Sequence, residues 1–292
     1  SSLLLKSEFL SRMPKRFAPF LLLPLGVLGG YPVGAKLAGR LYRDGALPLS
    51  DAQTVSACCN LPNPVFLITV VSAGLFDDPR AAIPLLLGIY GTALFGLIPL
   101  SRIRITEGTS ADSPKLTHAL PEAIADGVQA ILNIGGCLVF ASVLGTLLEA
   151  TGVFRLFGQG SQTARAIALG LFEMTSGASL TAALPLSLPL RLALAAFFIR
   201  FGGVSVLLQG ASYLPLSRRS VFVPLAAALV SAVTVYFLTP LFCPDVTVPT
   251  MATVAEMVKN TFDLLAVSVS AAFGLLLVFV FTFGLSQRKR GV

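Results

Sequence analysis

A chain of 292 residues that is 55% hydrophobic and only 12% charged cannot clothe a water-soluble domain, where roughly a quarter of residues carry charge. With a mean hydropathy of +0.84 it reads as a polytopic membrane protein. Its net charge of +7 is scattered between apolar runs, which suits loops on the positive side of a bilayer and excludes a nucleic-acid footprint.

Taken in order, residues 3–11 are apolar but too short to span, since a bilayer core needs about 20 helical residues. The start at Ser1-Ser2, with no Met and no charged leader, reads as a trimmed product and not a signal peptide. Phe17–Leu28 is a short apolar run. A break follows at Gly29–Gly34, then Ala35–Leu47 carrying Lys36, Arg40 and Arg43. Each arm reaches about half a bilayer at about 1.5 Å per residue. The expectation is a re-entrant hairpin with Tyr31-Pro32-Val33-Gly34 at its tip. Pro48–Asp51 reads as a helix start with Ser50 as N-cap. That run is interrupted at Asn60-Leu61-Pro62-Asn63-Pro64: Pro62 ends one half-helix, Asn63 caps the next and Pro64 takes its first position. Arg80–Leu100 reads as a plain span and 101–119 as a polar loop containing a solvated His118.

The second half runs through the same plan. Pro121–Gln129 is amphipathic and leads into a span at 131–150. Thr163–Leu184 holds a second hairpin, with Glu173-Met174-Thr175-Ser176-Gly177 at its tip. Leu188–Leu214 is a second interrupted helix, broken at Arg200-Phe201-Gly202-Gly203. Val221–Leu238 spans, and after a proline-rich loop Leu264–Leu285 is a last span before the basic tail Arg288-Lys289-Arg290. Both hairpins end Gly-Ala-x-Leu, at Gly34–Leu37 and Gly177–Leu180. The chain divides into a first repeat at 1–100, a cytoplasmic loop at 101–119, a second repeat at 120–238, and a loop, span and tail at 239–292. An odd number of crossings between the halves makes the repeats inverted, as in many secondary transporters. Charge agrees: with the C-terminus in the cytoplasm, 14 of the 21 Lys and Arg residues fall inside. The fold expected is all-α, with two inverted repeats each made of a re-entrant hairpin, a broken helix and a span.

Chemistry is sought where helices break, because unpaired backbone groups at membrane depth survive only beside protein or a polar cavity. Arg200, at the end of a half-helix, complements its dipole and can pair with Glu173 from the second tip. Such a pair is either structural or tied to solute or proton coupling. Asn60, Asn63, Thr175, Ser176, Ser205 and Gln209 either line a polar pocket or cap the breaks themselves. Lys36 either contacts solute or snorkels to the inner face. Tyr31 either stacks on a ring or packs. Gly88, Gly91, Gly96, Gly135 and Gly136 read as helix-packing residues. Cys58, Cys59, Cys137 and Cys243 read as small buried residues, without metal spacing. HExxH, GxSxG and a phosphate-loop Lys-Ser/Thr after Gly29-x4-Gly34 are missing, so no enzyme, metal or cofactor is expected.

Four motifs in order carry a resemblance over nearly the whole chain: Gly30-Tyr31-Pro32-Val33-Gly34-Ala35-Lys36, Cys59-Asn60-Leu61-Pro62-Asn63-Pro64, Gly170-Leu171-Phe172-Glu173-Met174-Thr175 and Phe201-Gly202-Gly203-Val204-Ser205-Val206. They resemble the YlbJ-type sporulation integral membrane protein family, which carries the nucleoside recognition or gate domain. That domain is in turn similar to the core of concentrative nucleoside transporters. Two positions depart from the family pattern: the Asn-Leu-Pro-Asn-Pro break, and Arg200 where a small residue is usual. Ser1–Met13 resembles only the end of the family's first apolar stretch, so the first span is expected to be truncated. The resemblance implies a bacterial cell membrane protein of spore formation. It implies a transporter-like core moving a nucleoside-like or anionic solute, with the coupling ion open. The alternative is a non-transporting scaffold supporting envelope assembly through protein partners. The partners expected are the bilayer and a small polar solute; a homo-oligomer is left open.

Overall fold

The computed structural model describes residues 18–106 and 116–244, and every element in them is helical. The expected span at Leu264–Leu285, the Ser1–Met13 segment and most of the polar loop lie outside the described residues.

Helix α1 (Ala18–Gly29) and α2 (Val33–Arg43) are joined through Gly30-Tyr31-Pro32. Gly30 has φ +72° and the Tyr31–Pro32 peptide is cis. The break is thus shorter than the sequence reading had it, since Val33 and Gly34 already belong to α2. Gly34 has no room for a side chain: a Cβ there would fall onto the Cys59 carbonyl, and so would one at Gly26 on the other arm. Both arms therefore press against the end of α3 (Leu49–Cys59).

Pro48, not Ser50, is the N-cap of α3; Ser50 lies inside the first turn. The helix stops at Asn60, two residues before Pro62, because Pro62 disfavours the helical region at Leu61 and withholds its own N–H. Chain growth resumes at Pro64, where the Asn63 Oδ1 accepts the Val65 N–H at 2.7 Å, as the capping chemistry predicts. The second half is a π-helix, Phe66–Leu75, which the sequence did not announce. The buried Ser72 hydroxyl donates to the Leu67 carbonyl five residues back at 2.8 Å, matching the wider π register. A 3₁₀ turn at Pro79–Ala81 leads into α4 (Ala82–Leu94), and α5 (Leu97–Leu100) completes that span.

The expected amphipathic segment and span fuse into one 35-residue helix, α6 (Leu116–Ala150), so His118 stands in its first turn and not in a loop. A 3₁₀ stretch (Val153–Gly160) precedes α7 (Ser161–Phe172) and α8 (Met174–Ala182). The second tip is the single residue Glu173; Met174 to Gly177 are helical. Helix α9 (Leu188–Phe201) breaks at Gly202 and continues as α10 (Gly203–Ala211). Gly202 and Gly203 sit at φ +83° and +70°, a region that costs any other residue strain. A Cβ on Gly203 would also lie 2.9 Å from the Leu171 carbonyl and 3.0 Å from that of Phe172. The donor end of α10 thus faces the acceptor end of α7. Helix α11 (Arg218–Phe242) closes the described fold.

Among the described residues, four stretches are long and apolar enough to cross a membrane: Pro79–Leu100, Ile124–Ala150, Leu188–Ala211 and Arg218–Phe242. Their burial separates them. In the most apolar 18 residues, 83% of Leu188–Ala211 is buried, against 11% of Ile124–Ala150 and 17% of Arg218–Phe242. The broken α9–α10 pair is the axis of the bundle, with α11, α8 and α4 packed on α9 and α6 on α10. The outer helices turn Ile131, Leu132, Val233 and Phe237 outward, an apolar exterior suited to lipid. Gly88 seats Val235 of α11 and Gly96 seats Cys58, as helix-packing glycines do; Gly91, Gly135 and Gly136 face open space.

Long-range bonds assign residues to the two ends of the bundle. At one end the Thr106 N–H donates to Ala46 O, Gln53 donates to Pro215 O, and Arg219 donates to Ser50 O and Thr54 Oγ1. At the other, Arg191 donates to Ala182 O and lies over the Phe76 ring, beside the Asp78–Arg80 pair. Lys36, Arg40, Arg43, Arg102, Arg104, Arg218 and Arg219 belong to the first end, and Arg80, Arg155, Arg165 and Arg191 to the second. The contacts therefore gather at one end the described members of three basic segments that the charge rule put inside, 36–43, 102–104 and 218–219; the segment 12–16 and the tail lie outside the described residues.

Candidate functional site

The site begins with an unfinished helix end. Where α9 stops, its last carbonyls lose their helical partners. The Gly202 N–H closes back onto Phe198 O, and the Tyr31 hydroxyl reaches across from the first break to Ile199 O at 3.0 Å and Arg200 O at 3.2 Å. Tyr31 therefore does more than pack. It supplies the donor that the second broken helix lacks.

The Arg200 side chain is 2% exposed, and its Nε and Nη1 are buried without a hydrogen-bond partner. Among the described residues, Tyr31, Cys58 and Cys59 are titratable groups that face it. Arg200 lines a cavity of about 40 Å³ between α3, α9–α10 and the start of α11, walled also by Tyr31, Ser56, Asn60, Gly210, Leu216 and Ser220. The Asn60 Oδ1 is also buried and unpartnered. Arg200, Tyr31 and Asn60, each from a different break, thus meet in one cavity that extends toward the basic end of the bundle.

Glu173 is elsewhere. Its carboxylate, 4% exposed, accepts from the Thr175 N–H at 2.8 Å and the Ser176 N–H at 2.6 Å, capping α8. The expected Glu173–Arg200 pair is not formed. The physical reason is local: two charge-assisted bonds to first-turn amides hold the carboxylate at the positive end of its own helix. Glu173 lines a second cavity, of about 290 Å³, between α6, α7 and α8, shared with Ser142, Glu149, Arg165, Ser176 and Ser179. An ion pair between Glu149 and Arg165 marks its outer part.

The other expected residues sort by partner. Lys36 lines neither of these two cavities and lies at the basic end of the bundle. Its Nζ lies 2.9 Å from the Asp126 carbonyl and 3.5 Å from the Asp126 carboxylate, tying α2 to α6. Asn63 caps its half-helix and donates its amide to Leu28 O, so it fastens the two first-half breaks to each other. Thr175 contributes its backbone to the Glu173 cap and lies in neither cavity. Ser205 and Gln209, 2% and 4% exposed, bond to each other at 3.2 Å on the face of α10 away from both cavities. Asp126, Glu149, Ser56 and Ser220 were missed. Acidic residues inside the apolar run 124–150 were the available signal for the first two, since charge there is costly without a partner. The two serines carried none.

An all-helical bundle with two interrupted helices, buried ionisable groups and an apolar exterior defines a polytopic membrane protein. Comparison with known proteins agrees. Over 227 residues the chain is 26% identical to the sporulation integral membrane protein YlbJ of Bacillus subtilis (strain 168), covering 66% of this chain and 56% of that protein. That similarity supports the YlbJ-type family read from the four motifs, and membrane localisation with it. The chain spans about half the length of this curated relative. No family model and no solved structure matches.

Proposed function

We propose that this chain is the core of a membrane carrier for a small polar solute, working in the envelope of a sporulating bacterium as its relative's name suggests. The observation that carries the reading is the placement of two polar cavities. One leads from Arg200 to the basic end, the other from Glu173 toward the end that holds Arg165, and the breaks lie between them. A scaffold has no need of buried ionisable groups aimed into cavities from opposite ends; a carrier that exposes a site alternately does.

The repeats also support it. In the first hairpin Gly26 and Gly34 press on the end of α3; in the second, Gly170 and Gly177 press on Phe198 near the end of α9. Each hairpin thus abuts the first half of a broken helix. We take them as re-entrant hairpins of two inverted repeats, with the cytoplasm at the basic end.

Size narrows the solute. Sites for drug-sized ligands run about 300–1,000 Å³, so the Arg200 cavity of about 40 Å³ admits an ion or a few waters and no nucleoside. The decisive experiment is flux into proteoliposomes of purified protein, with radiolabelled small anions and nucleosides in turn. Uptake above protein-free vesicles that falls at least about tenfold in Arg200→Gln supports the carrier. Absence of flux for every solute supports the scaffold reading, which the small volume at Arg200 also favours.

A further inference from the structure

We infer that Arg200 is the anchor of a binding site for one small anion, of halide, carboxylate or phosphate size, held in the cavity between α3, α9–α10 and α11. The inference deepens the carrier reading and rests on it for the biological use of the site, though not for binding itself. A buried lysine can escape its desolvation cost by losing a proton; an arginine cannot, because its guanidinium stays charged at any physiological pH. A guanidinium that is 2% exposed and leaves Nε and Nη1 unspent is a charge without a counter-charge. Among the described residues none is seen to provide one: Tyr31, Cys58 and Cys59 face it, while Glu173 is committed to the α8 amides and lines the other cavity. Breaking a buried pair costs several kcal/mol because the survivor is stranded, and here a ligand must complete the pair.

The cavity fits that role in chemistry and in size. Beyond the guanidinium its polar wall includes the Ser56 hydroxyl, a group able to donate to an anion. About 40 Å³ holds a chloride or a single carboxylate or phosphate group, not the body of a metabolite. Access is from the end where Lys36, Arg40, Arg43, Arg218 and Arg219 gather, a field that concentrates anions at the entrance.

The test is thermal unfolding of the purified full chain in detergent, titrated with sodium chloride, acetate or phosphate against sodium gluconate at constant ionic strength. The expected result is a saturable stabilisation by at least one of the three. It is lost, with apparent Kd raised more than about tenfold, in Arg200→Gln. Arg155→Gln removes the same charge at the opposite end of the bundle and keeps the stabilisation. Should Arg200→Gln fail to fold, Ala57→Leu decides: Ala57 also lines the cavity, and the larger side chain fills it while Arg200 stays in place, so it is expected to abolish the shift. No saturable shift in the wild type, or a shift of wild-type affinity in Arg200→Gln or Ala57→Leu, overturns the site. Repeating the variants in the flux assay separates the two ideas. Anion stabilisation without flux leaves the site standing and removes the carrier. Flux indifferent to Arg200→Gln does the reverse.

Discussion

Glu173 and Arg200 are both buried and both charged, yet the fold treats them in opposite ways. Glu173 is satisfied within three residues of itself, by the amides of Thr175 and Ser176. Its replacement by Ala exposes two first-turn donors and is expected to destabilise by about 1–2 kcal/mol, while Gln, which keeps an acceptor, loses less than half of that. Chemical unfolding in mild detergent would read the difference; equal losses would mean that the carboxylate acts elsewhere. Outside the membrane-spanning helices, Arg80 sets the state of Asp78. The hydrogen bond from its guanidinium, ahead of the backbone bond, holds the Asp78 carboxyl below the ordinary 3.8. A depressed folded pKa gives stability that is present above the unfolded pKa and is lost as pH falls through the folded one. Asp78→Asn should therefore matter slightly at neutral pH and not at all in strong acid, and the pH dependence of Tm checks the sign. The pair is exposed to solvent, so the effect is small.

At the level of elements, the breaks carry the fold's information. Asn63 both caps its half-helix and reaches Leu28, so Asn63→Ala should cost about 1 kcal/mol for the cap and somewhat more for the lost tie. Gly34→Ala must move the Cys59 carbonyl or the hairpin arm, and an overpacked contact of this kind costs about 1–3 kcal/mol. Gly91→Ala, with nothing near its Cα, is the matched control and should be neutral or slightly stabilising. Comparing the three Tm values tests whether the glycines of the hairpin, and not glycine content in general, set the packing. The positions of these breaks were legible in the chain because proline and paired glycines act locally on φ and on backbone donors. The π-helix over Phe66–Leu75 was not, since its wider register depends on what Leu67, Val71 and Ser72 pack against.

Across the whole molecule, the contacts and the charges describe one arrangement: basic segments at one end, Asp78, Glu149 and Arg165 at the other. It predicts that cysteines placed at Ser220 and at Ser179, in a background lacking the native thiols, are modified by membrane-impermeant maleimide from opposite faces of intact vesicles. Labelling of both from one face would refute the two-ended arrangement. Among the described residues, the amino-acid sequence by itself determined the membrane class, the helical character, the places of the breaks, and the end of α9 as the place for Arg200. Those follow from hydropathy, helix-breaking chemistry and charge, which act over a few residues. Only the tertiary structure decided partners. Lys36 met Asp126 in α6, 90 residues away; Tyr31 met the end of α9, 169 residues from its own break to Arg200; and Glu173 was held apart from the arginine it was expected to neutralise. Pairing of buried charges depends on which helix ends are brought together and on which local donors compete for them, and no short-range pattern records either.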